Sequence, residues 1–284
     1  MTHDARPLAV LGAGTMGHGI AYAALAAGYP TRLYDVADAP LQQAVAAISA
    51  LFAKSVELGK QTPARAEQLL GSLATTTSVS QAVRDAAVVI EAAPEKIELK
   101  LALLAEVQRQ APADAVIASN TSALSITEMA AALSCPGRMG GMHFFNPVPK
   151  MKLVEVVRAL ETSDDTVRVM TEVAVAMGKE TVLINESPGF ITSRINALIG
   201  NEAFYMLQDG VASARDIDKA LKLGLNHPMG PFELVDLVGL DTRLSILQYL
   251  HRTLGDKFRP CPLLEEHVAA GRLGRKVSRG VFDY

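Results

Sequence analysis

"LAVLGAGTMGHGIAYAALAAGYPTRLYD", Leu8 to Asp35, runs an apolar strand-like segment into a glycine cluster, an alanine-rich helical pattern and a second short strand. Gly12, Gly14 and Gly17 have the spacing G-x-G-x-x-G, directly after the strand and at the mouth of the helix. The first glycine of such a turn permits a tight bend, the second lets a pyrophosphate approach the backbone, and the third lets helix pack on strand. Thr15 and Met16 open the helix, whose first N–H groups and dipole suit phosphate oxygens. The second strand, from Thr31, ends in Asp35, a carboxylate placed to accept hydrogen bonds from both hydroxyls of an adenosine ribose. It repels a 2′-phosphate and no arginine follows directly, so the pattern predicts NAD and not NADP. The glycines alone would fit a chance capping turn; strand, helix and acid in one unit are a stronger signal.

Outward from this stretch, short β-rich runs alternate with helical patterns. "AAVVIEA", "AVIASN", "MGGMHFF", "KLVEVV" and "ETVLIN" read as further strands, and Glu95 to Gln110 as a helix with apolar Ile97, Leu99, Leu101, Leu103 and Leu104. Such alternation predicts an α/β fold with a mostly parallel sheet and helices on both faces. The later strands have less chain between them and suit antiparallel pairing at one edge. After "ESPGF", Glu186 to Phe190, the patterns are helical: Phe190 to Gly210, and a helix capped by Ser213 that stops at Gly224. We therefore place a sheet domain over residues 1–186 and an all-helical domain over 187–284.

The bulk numbers fit an ordinary globular protein: 284 residues, 49% apolar, 20% charged and a net charge of −3. That charge argues against a nucleic-acid partner, which would need a basic face. Two cysteines, Cys135 and Cys261, make neither a disulfide framework nor a metal-ligand spacing, so no metal is expected. No signal peptide fits ahead of Leu8 and no apolar run is long enough to span a membrane, which predicts a cytoplasmic protein away from membranes.

One histidine stands apart. In "GMHFFNPVPKMKLVEVV", His143 lies in an apolar strand, and "FNPVPK" reads as the turn into the strand that carries Glu155. A lone histidine on an apolar strand is ordinarily a satisfied structural residue. A hairpin return, however, brings Glu155 to one imidazole nitrogen, fixing the tautomer and leaving the other nitrogen to exchange a proton with substrate. In "ASNTSALSI", Asn120, Thr121 and Ser122 sit at the carboxyl end of another strand, the edge where open α/β sheets bind ligands. A helix N-cap is the plainer reading of such residues, and it explains Ser125 or Thr127 better than the whole triplet.

"GAGTMGHGIA", "SNTSALSI", "HFFNPVPKMKLVEVV", "SPGFITSRI" and "LGLNHPMGPFELVDLVGLD" occur in that order. Together they resemble the short-chain (S)-3-hydroxyacyl-CoA dehydrogenases, especially the bacterial 3-hydroxybutyryl-CoA dehydrogenases, over nearly the whole chain. The resemblance implies a Rossmann-type NAD domain, a helical domain that pairs two copies into a homodimer, and an acyl-CoA substrate in the cleft between the domains. It makes His143 the general base for alcohol oxidation and Glu155 its partner, gives the C3 oxygen to Ser122, and puts Asn120 near the nicotinamide. It adds Glu95 and Lys100 as cofactor contacts and Asn146 as a substrate contact. Lys54 and Lys60 would meet the phosphates of CoA, a role that competes with their being solvated surface lysines.

Many members of the family carry Asn where this chain has Ser193, and that Asn helps hold the thioester. A serine hydroxyl is shorter and offers one donor in place of two; it acts directly, through water, or leaves the task to Asn196. Acyl length, a distal carboxylate as in an adipyl chain, and pathway (butanoate, polyester, fatty-acid or aromatic-acid metabolism) are not written in the sequence. Two other readings stand beside the main one: a dehydrogenase of a CoA-free hydroxy acid such as gulonate, and a non-catalytic NAD(H)-binding protein of the crystallin type.

Overall fold

The computed structural model describes residues 6–284; the first five residues of the 1–186 domain, and the reading of the extreme N-terminus as leaderless, lie outside that range. The chain divides into two compact units, one ending at Glu186 and one spanning Ser187–Tyr284.

The first unit carries one sheet of eight strands: β1 (Leu8–Leu11), β2 (Thr31–Tyr34), β3 (Leu73–Thr76), β4 (Val88–Glu91), β5 (Val116–Ser119), β6 (Met139–Phe144), β7 (Leu153–Arg158) and β8 (Glu180–Asn185). Their order is β3-β2-β1-β4-β5-β6-β7-β8. From β3 to β6 all neighbours are parallel, β6 and β7 pair antiparallel, and β8 runs parallel to β7. The central strands β1, β4 and β5 are buried along their whole length, as parallel strands covered on both faces must be, so they read as apolar runs, broken only where Glu91 ends β4 and Ser119 ends β5. The strand order reverses between β1 and β4, and the carboxyl ends there open the crevice in which such sheets bind ligands.

The helices of this unit are α1 (Thr15–Ala26), α2 (Asp38–Glu57), α3 (Pro63–Leu70), α4 (Val79–Val83), α5 (Ile97–Gln110), α6 (Ile126–Ala131) and α7 (Asp164–Ala176). Two features differ from the sequence reading. Strand β3, "LATT", was not expected: it lies at the sheet edge and carries no apolar alternation. Helix α5 begins at Ile97, not Glu95, and the face it buries is Lys100, Leu104 and Val107 while Leu99 is exposed. Of the apolar residues named from the sequence, Leu104 lies on that face, beside a buried lysine.

The second unit consists of α8 (Thr192–Gln208), α9 (Ala214–Gly224), α10 (Pro231–Val238), α11 (Leu240–Leu254) and α12 (Pro262–Ala269), around Phe204, Phe232, Leu247, Leu250 and Phe258. Ser213 caps α9, its Oγ accepting from the Asp216 N–H at 3.2 Å. Two buried carboxylates tie the helices together. Asp218 of α9 accepts from the N–H groups of Phe232 (2.8 Å) and Glu233 (3.0 Å), and so caps α10 from outside. It comes so close that a Cβ on Gly230 would lie 2.2 Å from its Cγ, which accounts for the glycine in "HPMGPF". Asp236 of α10 accepts from Val281 N–H, Phe282 N–H and the Tyr284 hydroxyl, fastening the chain's end.

Candidate active site

The loop between β1 and α1 separates glycines that the protein needs from one that it does not. Gly12 has φ +112°, and a Cβ there would lie 2.6 Å from the carbonyl oxygen of Ala92; a Cβ on Gly17 would lie 1.7 Å from that of Gly12. Around Gly14 a Cβ would meet nothing within 4 Å among the described residues. The chain therefore gives no packing reason for Gly14, whereas a pyrophosphate against the bare backbone does. Gly14 is also the N-cap of α1 and no side chain caps it, so the N–H groups of the first turn are offered to a ligand. Asp35 follows β2 and accepts from the Ala13 N–H (2.8 Å) and the Val36 N–H (2.8 Å), which holds its carboxylate at the loop. These residues fit a dinucleotide.

At the other side of the crevice, β6 and β7 place His143 directly opposite Glu155. Nδ1 of His143 lies 2.7 Å from Oε2 of Glu155, with the histidine 6% and the glutamate 1% exposed. A carboxylate at Nδ1 makes that nitrogen the N–H donor and sets Nε2 as the basic one. The Phe145 ring packs 4.5 Å from the imidazole, and the turn continues through exposed Asn146 and a cis bond to Pro147. Two residues that the sequence reading missed fix this turn. A Cβ on Gly19 of α1 would lie 2.9 Å from Cβ of Val148, so that glycine lets the turn seat on the phosphate helix. Lys179 donates to the carbonyls of Val148 (2.5 Å) and Met151 (2.8 Å), and burial pushes its pKa below the ordinary lysine value.

Asn120, after β5, accepts at Oδ1 from the Phe144 N–H at 2.9 Å, and its own N–H donates to the Glu91 carbonyl at 2.8 Å. It thus joins the ends of β4, β5 and β6 beside the histidine. The capping task falls to Ser125, whose Oγ accepts from the Glu128 N–H and donates to Glu186. Thr121 and Ser122 belong to a different network. Oε1 of Glu95 accepts from the Thr121 hydroxyl (2.5 Å) and the Ser122 N–H (3.0 Å), with the Ser122 hydroxyl 3.4 Å away. Behind Glu95 lies Lys100, 1% exposed, whose ammonium is 3.4 Å from Glu95 and donates to Glu91 (2.6 Å) and the Ala93 carbonyl (3.1 Å). Glu91 is wholly buried and also accepts from the Ser119 hydroxyl at 2.5 Å and the Ala93 N–H at 2.6 Å. The only trace of this brace in the sequence is an acid ending a buried strand.

The structure thus gathers His143, Glu155, Asn120, Ser122, Glu95 and Lys100 at the carboxyl end of the sheet. Lys54 and Lys60 stand apart and exposed, at the end of α2 and just beyond it, with Lys54 paired to Glu57 at 2.8 Å. Ser193 and Asn196 lie on α8 in the second unit, both partly exposed. Among the described residues no helix is long and apolar enough to cross a membrane.

Residues 7–187 match the model of the 3-hydroxyacyl-CoA dehydrogenase NAD binding domain, and residues 189–284 that of the 3-hydroxyacyl-CoA dehydrogenase C-terminal domain. A probable 3-hydroxybutyryl-CoA dehydrogenase of Bacillus subtilis is 43% identical, over 99% of this chain and 98% of its own length. A 3-hydroxybutyryl-CoA dehydrogenase of Bradyrhizobium diazoefficiens is 42% identical, over 98% of this chain and 95% of its own. Among solved structures, (S)-3-hydroxybutyryl-CoA dehydrogenase PaaH1 from Ralstonia eutropha superposes with a TM-score of 0.95 at 41% identity, covering 99% of both chains.

Proposed function

Because this chain belongs to the 3-hydroxyacyl-CoA dehydrogenase family, we propose that it interconverts a short-chain (S)-3-hydroxyacyl-CoA and the 3-oxoacyl-CoA with NAD. The observation that carries the reading is the buried His143–Glu155 pair, 2.7 Å apart, at the end of a sheet whose first turn suits a dinucleotide. Gly12, Gly14, Gly17 and the first turn of α1 take the pyrophosphate, and Asp35 takes the ribose hydroxyls. NAD supplies, when bound, the acceptor and donor of the hydride exchanged with C3 of the substrate.

The protein's own part is to move one proton and hold one oxygen. In oxidation, Nε2 of His143 takes the proton of the C3 hydroxyl as the C3–H bond gives up its hydride and the carbon–oxygen double bond forms. Glu155 stabilises the imidazolium that results; reduction returns the proton by the same path. Ser122 holds the C3 oxygen and Asn120 orders the nicotinamide end. Lys100 acts from beneath Glu95, keeping that carboxylate on the Thr121–Ser122 backbone. Asn146 and Ser193 serve the acyl thioester, and Lys54 and Lys60 the phosphates of CoA. Exposed Ile191, Ile195, Leu223, Leu225, Leu237 and Val238 on the second unit support a homodimer, and a cytoplasmic setting suits such an enzyme.

The test is NADH consumption with acetoacetyl-CoA, run beside free acetoacetate and beside NADPH. Loss of NADH with the thioester alone is expected; no thioester turnover, with NADH still bound, overturns the reading. In the same assay His143→Gln should lower kcat by ~10²–10⁴-fold while still binding NADH. Equal loss of both would remove His143 from the proton transfer.

A further inference from the structure

A guanidinium in the second unit is buried with nothing among the described residues to neutralise it. Arg243, in the first turns of α11, is 2% exposed. Among the described residues its side chain makes no hydrogen bond or ion pair, and its Nε is buried without a partner. Burial is the whole cause of a pKa pushed down to about 10. A charge withdrawn from water and left unpaired is among the costliest features a fold can carry. Such a group is accounted for when an anion from outside the chain completes it.

The stem of this side chain packs against the facing helix, α8. A Cβ on Gly200 of α8 would lie 3.6 Å from Nε and 3.9 Å from Cδ of Arg243, and 3.1 Å from Cγ2 of Val235. The distances to Arg243 are ordinary van der Waals contacts and the one to Val235 is tight, so both side chains pack on α8 at Gly200. Ser193 and Asn196 precede Gly200 by seven and four residues, a spacing that sets all three on one stripe of α8. The stripe begins partly exposed and polar at Ser193 and ends buried at Gly200. Over that distance the helix rises about 10 Å.

We propose that Arg243 binds a carboxylate at the far end of the acyl chain, so that this enzyme's substrates are 3-hydroxyacyl-CoAs of short dicarboxylic acids. The inference rests on the thioester reading above, which puts the CoA end of the acyl group at Ser193. The acyl chain then passes Ser193 and Asn196 and delivers its terminal carboxylate to the guanidinium, whose stem lies with Val235 over Gly200. A planar guanidinium matches a carboxylate with two parallel charge-assisted hydrogen bonds, stronger than bonds between neutral groups. A butyryl chain ends in a methyl and would leave Arg243 as it stands, charged and unpaired. A carboxylate of a second copy of this chain would have the same chemistry, and the experiment separates the two sources.

The experiment compares 3-oxoadipyl-CoA with 3-oxohexanoyl-CoA, equal in length and differing in the terminal group, with acetoacetyl-CoA as the common reference. Wild-type protein should favour the carboxylated substrate by about 10- to 100-fold in kcat/KM, mostly through KM. Arg243→Met should level or invert that ratio, and Arg243→Lys should keep part of it, since charge remains without the fork. A wild-type ratio near one, or a ratio that survives Arg243→Met, overturns the proposal. So does a changed molar mass by light scattering in Arg243→Met with the ratio intact, which would give the anion to a second copy. Failure of the parent reading registers separately, as no turnover of any thioester, acetoacetyl-CoA included.

Discussion

Two buried cations, one in each unit, are handled in opposite ways. Lys100, 1% exposed, has Glu91, the Ala93 carbonyl and Glu95 within 3.4 Å. Arg243, 2% exposed, has no partner among the described residues. The first charge is neutralised by the fold and braces the residues around Ser122. The second is buried against α8 at Gly200 and then left open. A buried charge that the chain completes is structure; one that it does not complete points to what the chain binds.

The largest effect expected from breaking this contrast is at Glu91. Glu91→Gln leaves the Lys100 ammonium buried without its main counter-charge, and removing one partner of a buried pair costs about 3–5 kcal/mol. Urea unfolding measures it, and the double variant Glu91→Gln/Lys100→Met should recover much of the loss, because no orphan charge remains. A single-variant cost below about 1 kcal/mol would mean that Glu95, 40% exposed, suffices to hold Lys100. Arg243→Met should move stability the other way. Replacing a buried ion by an apolar side chain of similar size is often neutral or stabilising by about 1–4 kcal/mol, so the ligand-free variant should unfold at higher urea than wild type. Destabilisation on the scale of Glu91→Gln would show that Arg243 is completed after all.

Lys179 lies between the two cases, since its ammonium meets carbonyl oxygens of Val148 and Met151. Burial lowers its folded pKa below the unfolded value of about 10.4. Between those two values the unfolded chain holds more protons, so stability rises with pH, and the penalty is greatest below the folded pKa. Urea midpoints from neutral pH to about 10.4 should therefore climb more steeply in wild type than in Lys179→Met. Parallel curves would show that the ammonium keeps its water.

The sequence made legible what repeats a local rule: apolar runs for the central strands, glycines at fixed offsets, and a hairpin short enough to set His143 opposite Glu155. Strand β3 escaped because an edge strand of Leu-Ala-Thr-Thr has no apolar side to show. The charged interior escaped for another reason. Charges are read by default as surface, and the surroundings of Lys100, Lys179 and Arg243 are set by packing, with Lys179 reaching back to Val148 across 31 residues. On α5, Leu99 is exposed while its neighbour Lys100 is buried. Gly19 was invisible because it is required by a side chain distant in sequence, Val148.

The smallest effect on stability, and the sharpest separation of fold from ligand, belongs to Gly14. Gly12 is fixed by the Ala92 carbonyl, 2.6 Å from where its Cβ would be, and by φ +112°, so its conformation is a property of the chain. Gly14 has no contact within 4 Å at that position among the described residues and a φ of −67°, which any residue adopts. Gly14→Ala should therefore change the unfolding free energy by no more than about 0.5 kcal/mol. The methyl nevertheless projects where a pyrophosphate would meet the backbone, so NADH affinity, followed by its fluorescence, should fall while the urea midpoint stays in place. An unchanged affinity would break the parallel with Arg243, because the open space at Gly14 would then be waiting for nothing. Loss of stability together with affinity would return the residue to the structural class of Gly12, and the turn would have to be explained by the chain alone.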